Sequence, residues 1–163
     1  MRQAVSRDLM EPDWTAVPRF GTPPPGTCVV VRPSAYALVT DGRGWLAVVR
    51  TPRGLYLPGG GLEPGERAAD AAAREAREEC GLVVRVGEWA TRAVEFVHAV
   101  AEGTHYEKRC TFIDARVRGP AVRAAEPDHA LVWLPPGEAA ARLSAAGHRW
   151  AVTVWLGRSR ARV

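Results

Sequence analysis

The strongest local signal in this chain is a glycine triplet that leads into a helix. Residues Glu66 to Glu79 contain neither glycine nor proline and consist of alanine, arginine, glutamate and one aspartate, most of them good helix formers. Gly81 follows, at the position where helices commonly end in a left-handed residue. The triplet Gly59-Gly60-Gly61 precedes the helix and allows other groups to approach its backbone closely. Five small residues at helical spacing predict the buried stripe: Ala69, Ala72, Ala73, Ala76 and Cys80.

Carboxylates are concentrated on another face of this predicted helix. The segment from Glu63 to Glu79 carries six carboxylates and three arginines, although the whole chain has a formal net charge of +4. Glu75, Glu78 and Glu79 share one face at i, i+3 and i+4 spacing, where like charges repel. Carboxylate oxygens beside a glycine loop suit Mg²⁺ or Mn²⁺. A solvated acidic surface is the alternative interpretation.

The rest of the chain predicts one domain with a mixed sheet. Its 163 residues, 47% hydrophobic and 25% charged, are typical of a single globular unit. Residues 1–26 contain five prolines and are predicted to be an extension, with Phe20 able to attach it to a domain spanning 27–163. Short β-branched runs predict strands near 27–32, 35–40, 45–50, 55–57, 82–86, 93–99, 109–117 and 130–134. Helices are predicted at 66–79, 135–143 and 148–157. The fold class is therefore α/β or α+β.

Composition also excludes several classes of protein. No apolar run approaches the roughly 18 residues of a membrane helix, and the first residues lack the apolar core of a signal peptide, so a cytoplasmic protein is expected. Three cysteines without a C-x-x-C pair do not indicate a disulfide framework or a zinc site. The charge excess is modest and contains no long basic run, which argues against nucleic acid as the ligand.

Taken together, the loop and the helix resemble the signature of the Nudix hydrolase family. That signature is G-x5-E-x7-R-E-U-x-E-E-x-G-U, where U is an aliphatic residue. The chain reads Gly60, five residues, Glu66, seven residues, and then Arg74-Glu75-Ala76-Arg77-Glu78-Glu79-Cys80-Gly81-Leu82. Every fixed position matches, and Ala76 is smaller than the usual Ile, Leu or Val. The resemblance implies an α/β/α sandwich that hydrolyses a nucleoside diphosphate linked to another moiety.

The resemblance also implies roles for individual residues. Glu78 and Glu79 correspond to the main metal ligands, and Glu75 to a further ligand or the general base. Arg74 would orient a glutamate, Glu66 would fix the loop, and the Gly60 carbonyl is a candidate ligand. The catalytic set is therefore Glu75, Arg74 and Glu78, and the metal set is Glu75, Glu78, Glu79, Gly60 and Glu126.

Two assignments outside the motif depend on position alone. Glu126 lies seven residues before Trp133, which resembles the family segment whose loop glutamate adds a ligand or base, with a plain loop acid as the alternative. Arg50 ends a strand shortly before the glycine loop and is the candidate phosphate-binding residue, with a surface salt bridge as the alternative. Glu95, Glu102 and Glu107 are weaker alternatives to Glu126.

The substrate that the resemblance favours is a nucleoside tri- or diphosphate, with an oxidised nucleotide as one candidate, and the cofactor it implies is Mg²⁺ or Mn²⁺. The only partners expected are this nucleotide-type small molecule and, in a homodimer, a second copy of the chain; a monomer is the alternative. An RNA 5′-end pyrophosphohydrolase and a non-catalytic nucleotide-sensing module are the rival functions. Sensing modules usually lose glutamates of the motif. This chain keeps Glu66, Glu75, Glu78 and Glu79, which argues against a sensing module.

Overall fold

An eight-stranded mixed sheet forms the centre of the protein in the computed structural model, which describes residues 12–160. The strands are β1 (Arg19–Phe20), β2 (Val29–Thr40), β3 (Leu46–Thr51), β4 (Gly54–Tyr56), β5 (Gly59–Gly61), β6 (Val84–Ala99), β7 (Thr104–Val117) and β8 (Ala130–Leu134). The helices are α1 (Ala68–Cys80), α2 (Pro136–Arg142) and α3 (Ala146–Arg160), with a short 3₁₀ turn at Val100–Glu102.

Strand β2 connects the two halves of the sheet. It pairs in parallel with β7 from Val29↔His105 to Thr40↔Arg116, and β7 forms a long antiparallel hairpin with β6. Near its middle β2 pairs with β5, and at its end with β3. The β2–β5 pairing places the glycine triplet at the centre of the fold.

Helices cover both faces of the sheet and create two cores. Helix α1 packs on one face with Ala37, Val39 and Ile113. Helices α2 and α3 pack on the other, where Leu38 and Phe112 are completely buried. The predicted mixed sheet and α/β/α arrangement are therefore confirmed.

Helix α1 is rotated slightly from the predicted orientation. Gly81 ends it in a left-handed conformation (φ 66°) and donates its N–H to Arg77, as predicted for a glycine cap. The most buried alanines are Ala71, Ala72 and Ala76, while Ala69 and Ala73 are only partly buried. Ala69 still packs against this core, whereas the predicted stripe was wrong at Ala73, because the helix turns its Glu79 side inward, toward the glycine triplet.

Several predicted boundaries were also wrong. The runs 27–32 and 35–40 form one strand, β2, which continues through Pro33. The runs 82–86 and 93–99 form one strand, β6, whose pairing is interrupted by a bulge between Val86 and Ala90. Proline and glycine broke the sequence pattern at these points, whereas tertiary pairing maintains the strands. Helix α3 begins at Ala146 rather than at 148.

The predicted N-terminal extension contributes one element to the sheet. Residues 1–11 lie outside the described part of the chain. Arg19 and Phe20 form β1, parallel to Val94 and Glu95, and the Phe20 ring lies 6.0 Å from the ring of Trp150. No helix within residues 12–160 is long and apolar enough to cross a membrane.

Candidate active site

The last two turns of α1 carry three carboxylates that differ in burial. The side chains of Glu75 and Glu79 are 12% and 11% exposed, whereas that of Glu78 is 41% exposed. Glu79 lies on the sheet side of the helix, and Glu78 faces solvent. The helix therefore presents a graded row of carboxylates rather than a uniformly solvated acidic surface.

Arg74 is hydrogen-bonded to three of the surrounding glutamates. Its Nε and Nη2 donate to the two carboxylate oxygens of Glu66 at 2.8 and 2.9 Å. Its Nη1 donates to Glu75 at 2.9 Å and to Glu78 at 3.4 Å. A planar guanidinium with several fixed donors can orient several carboxylates at once, so Arg74 sets the positions of Glu75 and Glu78.

The glycine triplet lies against the carboxylates at a distance that side chains would prevent. The N–H of Gly59 donates to Glu79 Oε2 at 2.9 Å, and the Gly61 carbonyl accepts from Arg74. A Cβ at Gly60 would lie 2.6 Å from Glu75 Oε1, and a Cβ at Gly59 would lie 2.2 Å from the Ala35 carbonyl oxygen. Close packing against backbone atoms therefore requires glycine at position 59, whereas a side chain at position 60 would displace the Glu75 carboxylate.

A loop after β7 brings the fourth carboxylate to the helix. The N–H groups of Ala125 and Glu126 donate to the Glu78 carbonyl, and the N–H of Val122 donates to the Gly81 carbonyl. These bonds satisfy backbone carbonyls at the C-terminal end of α1. Carboxylate oxygens of Glu75, Glu78 and Glu126 lie within 4.8 Å of one another.

The alternatives to Glu126 lie elsewhere. Glu102 accepts from the Tyr106 hydroxyl, and Glu107 pairs with Arg19 and Arg109. Glu95 is buried on β6, with its carboxylate bonded to the N–H of Gly147. The structure brings none of these three into the carboxylate cluster.

His129 also joins the cluster, although the sequence motif does not include it. Its Nε2 lies 3.7 Å from Glu79 Oε1, and its Nδ1 is in close contact with Glu126. Atoms of Glu79, Glu126 and His129 also lie within 4.8 Å of one another. The available signal was its i+3 spacing from Glu126, just before β8.

The electrostatics of the cluster favour a cation. Burial, and then the neighbouring carboxylates, raise the pKa of Glu79 to about 8, against a hydrogen bond from Gly59 that lowers it. Burial also raises the pKa of Glu75. Four carboxylates and one imidazole form a mostly oxygen donor set, which is the chemistry that Mg²⁺ and Mn²⁺ prefer. These residues fit a divalent cation.

A cavity of about 560 Å³ begins at this cluster and extends over the sheet. From the cluster, Glu79 and His129 line the cavity. We call the four carboxylates Glu75, Glu78, Glu79 and Glu126 the acidic end, which meets the cavity at Glu79. The inner end is formed by Tyr36, Glu95, Lys108 and His148, all of which line the cavity.

His148 is the most enclosed polar residue of the inner end. It is 2% exposed, and its Nδ1 accepts the Leu57 N–H at 3.1 Å. Its ring lies 4.3 Å from that of Tyr36 and 5.5 Å from that of Phe112. Burial lowers its pKa to about 3, so the imidazole is neutral at pH 7.

Arg50 does not reach the cavity. It lies at the exposed end of β3, in register with Leu55 and Ala130. The arginine that lines the cavity is Arg53, three residues later. A phosphate contact by Arg50 stays a prediction.

Comparison with known proteins places this geometry in a family. The NUDIX domain model matches residues 30–156, which is most of the chain and includes the glycine triplet, α1 and Glu126. The chain belongs to the Nudix family. It is accordingly a Nudix hydrolase, one of the enzymes that cleave pyrophosphate bonds in nucleoside diphosphate derivatives, a family that generally uses a divalent metal. A search of curated protein sequences finds no match.

Solved structures support the same fold at low sequence identity. A Nudix hydrolase from Nitrosomonas europaea is 21% identical with a TM-score of 0.60, over 78% of this chain and 90% of its own. The ORF135 protein of E. coli is 24% identical with a TM-score of 0.61, over 82% and 94%. The Ap4A hydrolase of C. elegans is 19% identical with a TM-score of 0.60, over 78% and 98%.

Proposed function

We propose that this Nudix hydrolase cleaves the pyrophosphate bond of a nucleoside tri- or diphosphate, including oxidised forms, with Mg²⁺ or Mn²⁺ held by Glu75, Glu78, Glu79 and Glu126. The observation that carries the proposal is that the carboxylate cluster borders the cavity, with Glu79 and His129 in the cavity lining. A phosphate chain lying across the carboxylates would leave the nucleoside inside the cavity. Cavities of this size commonly enclose small organic ligands.

The residues of the acidic end have different roles in binding the cation. A divalent cation, when bound, neutralises phosphate oxygens and lowers the pKa of a water molecule. Glu78 is the most accessible ligand and Glu79 is held in place by the Gly59 N–H. Glu75 serves as a ligand or as the general base, and Arg74 positions it through a charge-assisted hydrogen bond. The carbonyl of Gly60 is a further candidate ligand.

A backbone hydrogen bond and a side-chain contact hold Glu126 within reach of the cation. Its backbone is tied to the Glu78 carbonyl, and its carboxylate contacts His129. Since Glu126 is 39% exposed, it can join or leave the cluster at little cost in packing. This arrangement supports a role as a ligand that completes the site when substrate is present.

A phosphate-release screen tests the proposal. The protein is incubated with a panel of nucleoside tri- and diphosphates in Mg²⁺, in Mn²⁺ and with a chelator. Metal-dependent release from at least one nucleotide is the expected result. Binding of nucleotides without any hydrolysis would instead identify a sensing module, and hydrolysis confined to 5′-triphosphate RNA would identify the RNA-end enzyme.

A further inference from the structure

The inner end of the cavity contains hydrogen-bonding groups that the proposed hydrolysis does not use. Lys108 is the only lysine among the 22 basic residues of the chain. It lies directly opposite Glu95 in the register of β6 and β7, so the two side chains leave the same face of the sheet. Within residues 12–160, no ion pair joins them.

Glu95 and Lys108 each make a hydrogen bond to a different partner, and each has further hydrogen-bonding atoms free. Glu95 is 8% exposed, and its Oε1 accepts the Gly147 N–H at 2.8 Å, at the N-terminal end of α3. No described residue donates to its other oxygen. Lys108 Nζ donates to the Tyr36 hydroxyl at 3.4 Å and keeps two further N–H groups.

His148 adds a second donor to the same end. Because its Nδ1 accepts the Leu57 N–H, its proton is on Nε2. That N–H has no acceptor among the described residues, although the side chain is 98% buried. All three residues line the cavity, so a ligand bound there can pair with the free atoms of each of them.

The numbers of free hydrogen-bond donors and acceptors at the inner end indicate which ligand fits there. Two donor groups, Lys108 and His148, face one free acceptor oxygen on Glu95, and the second free N–H of Lys108 is left over with either kind of base. A lactam offers a carbonyl oxygen with two lone pairs beside one ring N–H, and it can satisfy all three groups. Adenine and cytosine offer an amino group at the corresponding edge, beside a ring nitrogen with one lone pair. That lone pair can accept from Lys108 or from His148 but not from both.

We propose that Lys108, Glu95 and His148 determine substrate specificity by binding a lactam on the nucleobase, so that oxo bases are preferred over amino bases. This inference rests on the proposed function, since it assigns the group that occupies the inner end while phosphate lies at the acidic end. An unpaired buried donor is costly, and we expect a preference of about tenfold.

The first experiment uses two matched substrate pairs, inosine against adenosine triphosphate and uridine against cytidine triphosphate. We expect kcat/KM to favour the oxo member of each pair about tenfold. Glu95→Gln keeps an acceptor for the Gly147 N–H but turns a donor toward the ring N–H, so the preference should disappear. Lys108→Met removes one donor and should also reduce the preference. The matched control is Glu88→Gln, an exposed carboxylate on the same strand, which should leave the ratio unchanged.

The second experiment needs neither catalysis nor a variant. Because Lys108 is the only side-chain amine, an amine-specific reagent modifies it and the N-terminus alone, and mass spectrometry separates the two. Inosine monophosphate should protect Lys108 at about one-tenth the concentration that adenosine monophosphate requires.

The outcomes separate this inference from the proposed function. Equal turnover of both members, or equal protection by both monophosphates, overturns the inference and leaves hydrolysis intact. Loss of turnover in Lys108→Met by the same factor for both members would assign Lys108 to phosphate and also overturn it. Absence of hydrolysis of every nucleotide would overturn the proposed function, and the protection experiment would still decide the inference.

Discussion

The two ends of the cavity are stabilised in opposite ways. The acidic end collects groups of one charge, with Arg74 holding Glu75 and Glu78 in place. The inner end collects groups of mixed character, in which the neutral ring of His148 packs against Tyr36 and satisfies the Leu57 N–H. The first arrangement is strained until a cation arrives, whereas the second is already packed. Function should therefore respond to changes at the acidic end without loss of folding.

The largest effect is expected from Glu78→Gln. The amide keeps the size of the side chain but removes the charge that holds a cation, and we expect kcat to fall at least about 100-fold. Melting temperature should stay within a few degrees of wild type, since Glu78 is partly exposed. Asp70→Asn, on the exposed face of the same helix, is the matched control and should retain activity. Wild-type turnover in folded Glu78→Gln would remove this residue from the mechanism.

The next effect is stabilisation by metal, measured by thermal denaturation. Only the folded chain holds the carboxylates together, so Mn²⁺ at about 100 times its Kd should add about 2.7 kcal/mol of stability. For a domain of this size the melting temperature should rise by about 5–10 °C.

Glu79→Gln is the control for this measurement. Without metal it should be at least as stable as wild type, because it removes a buried carboxylate from a repulsive cluster. It should also lose most of the shift caused by Mn²⁺. Equal stabilisation of both proteins would place the ion away from Glu79.

The stability of the metal-free protein should depend on pH through one group at each end of the cavity, Glu79 and His148. The pKa of Glu79 is raised from about 4.5 to about 8, so its contribution to stability falls as pH rises between these values. The pKa of His148 is lowered from about 6.5 to about 3, so its contribution falls as pH drops between these values. The two slopes oppose each other from pH 4.5 to 6.5, and stability should decline by a few degrees from pH 6.5 to 8.

Two variants separate the contributions of Glu79 and His148 to the pH dependence of stability. Glu79→Gln should remove most of the decline above pH 6.5. His148→Asn, which keeps an acceptor for the Leu57 N–H, should remove the decline on the acid side. Melting curves in chelator across this range test both, and a profile that neither substitution alters would contradict the assignment.

The smallest effect is expected from Glu126→Ala. This substitution removes one exposed carboxylate, so kcat/KM should fall about tenfold while the melting temperature hardly changes. Steady-state kinetics in Mn²⁺ measures the loss. Unchanged kinetics would show that Glu126 is a loop acid, because Glu102 and Glu107 are engaged elsewhere.

The same contrast explains what could be predicted from the sequence. The glycine triplet, α1 and its three glutamates lie within one short segment, so local spacing was sufficient to predict their arrangement. The inner end depends on the register of β6 with β7 and on where α3 begins, and neither is encoded locally. Sequence reasoning therefore considered Glu95 only as a weak metal ligand and passed over Lys108 entirely.

His129 shows the same limit on a smaller scale. Its position next to Glu79 depends on backbone bonds between the loop and the end of α1, which no local pattern predicts. The segment resemblance was enough to select Glu126, but it gave no information about the neighbour that contacts it.

The parallel pairing of β2 with β7 has a consequence for the order of folding. It joins residue 29 to residue 105. Forming this pairing therefore closes a large loop that contains the glycine triplet and α1. Closing such a loop is entropically slow. Glu126 follows β7 in the chain, so the complete carboxylate cluster is assembled late. A cation that binds this cluster should therefore lengthen the lifetime of the folded protein rather than hasten its formation.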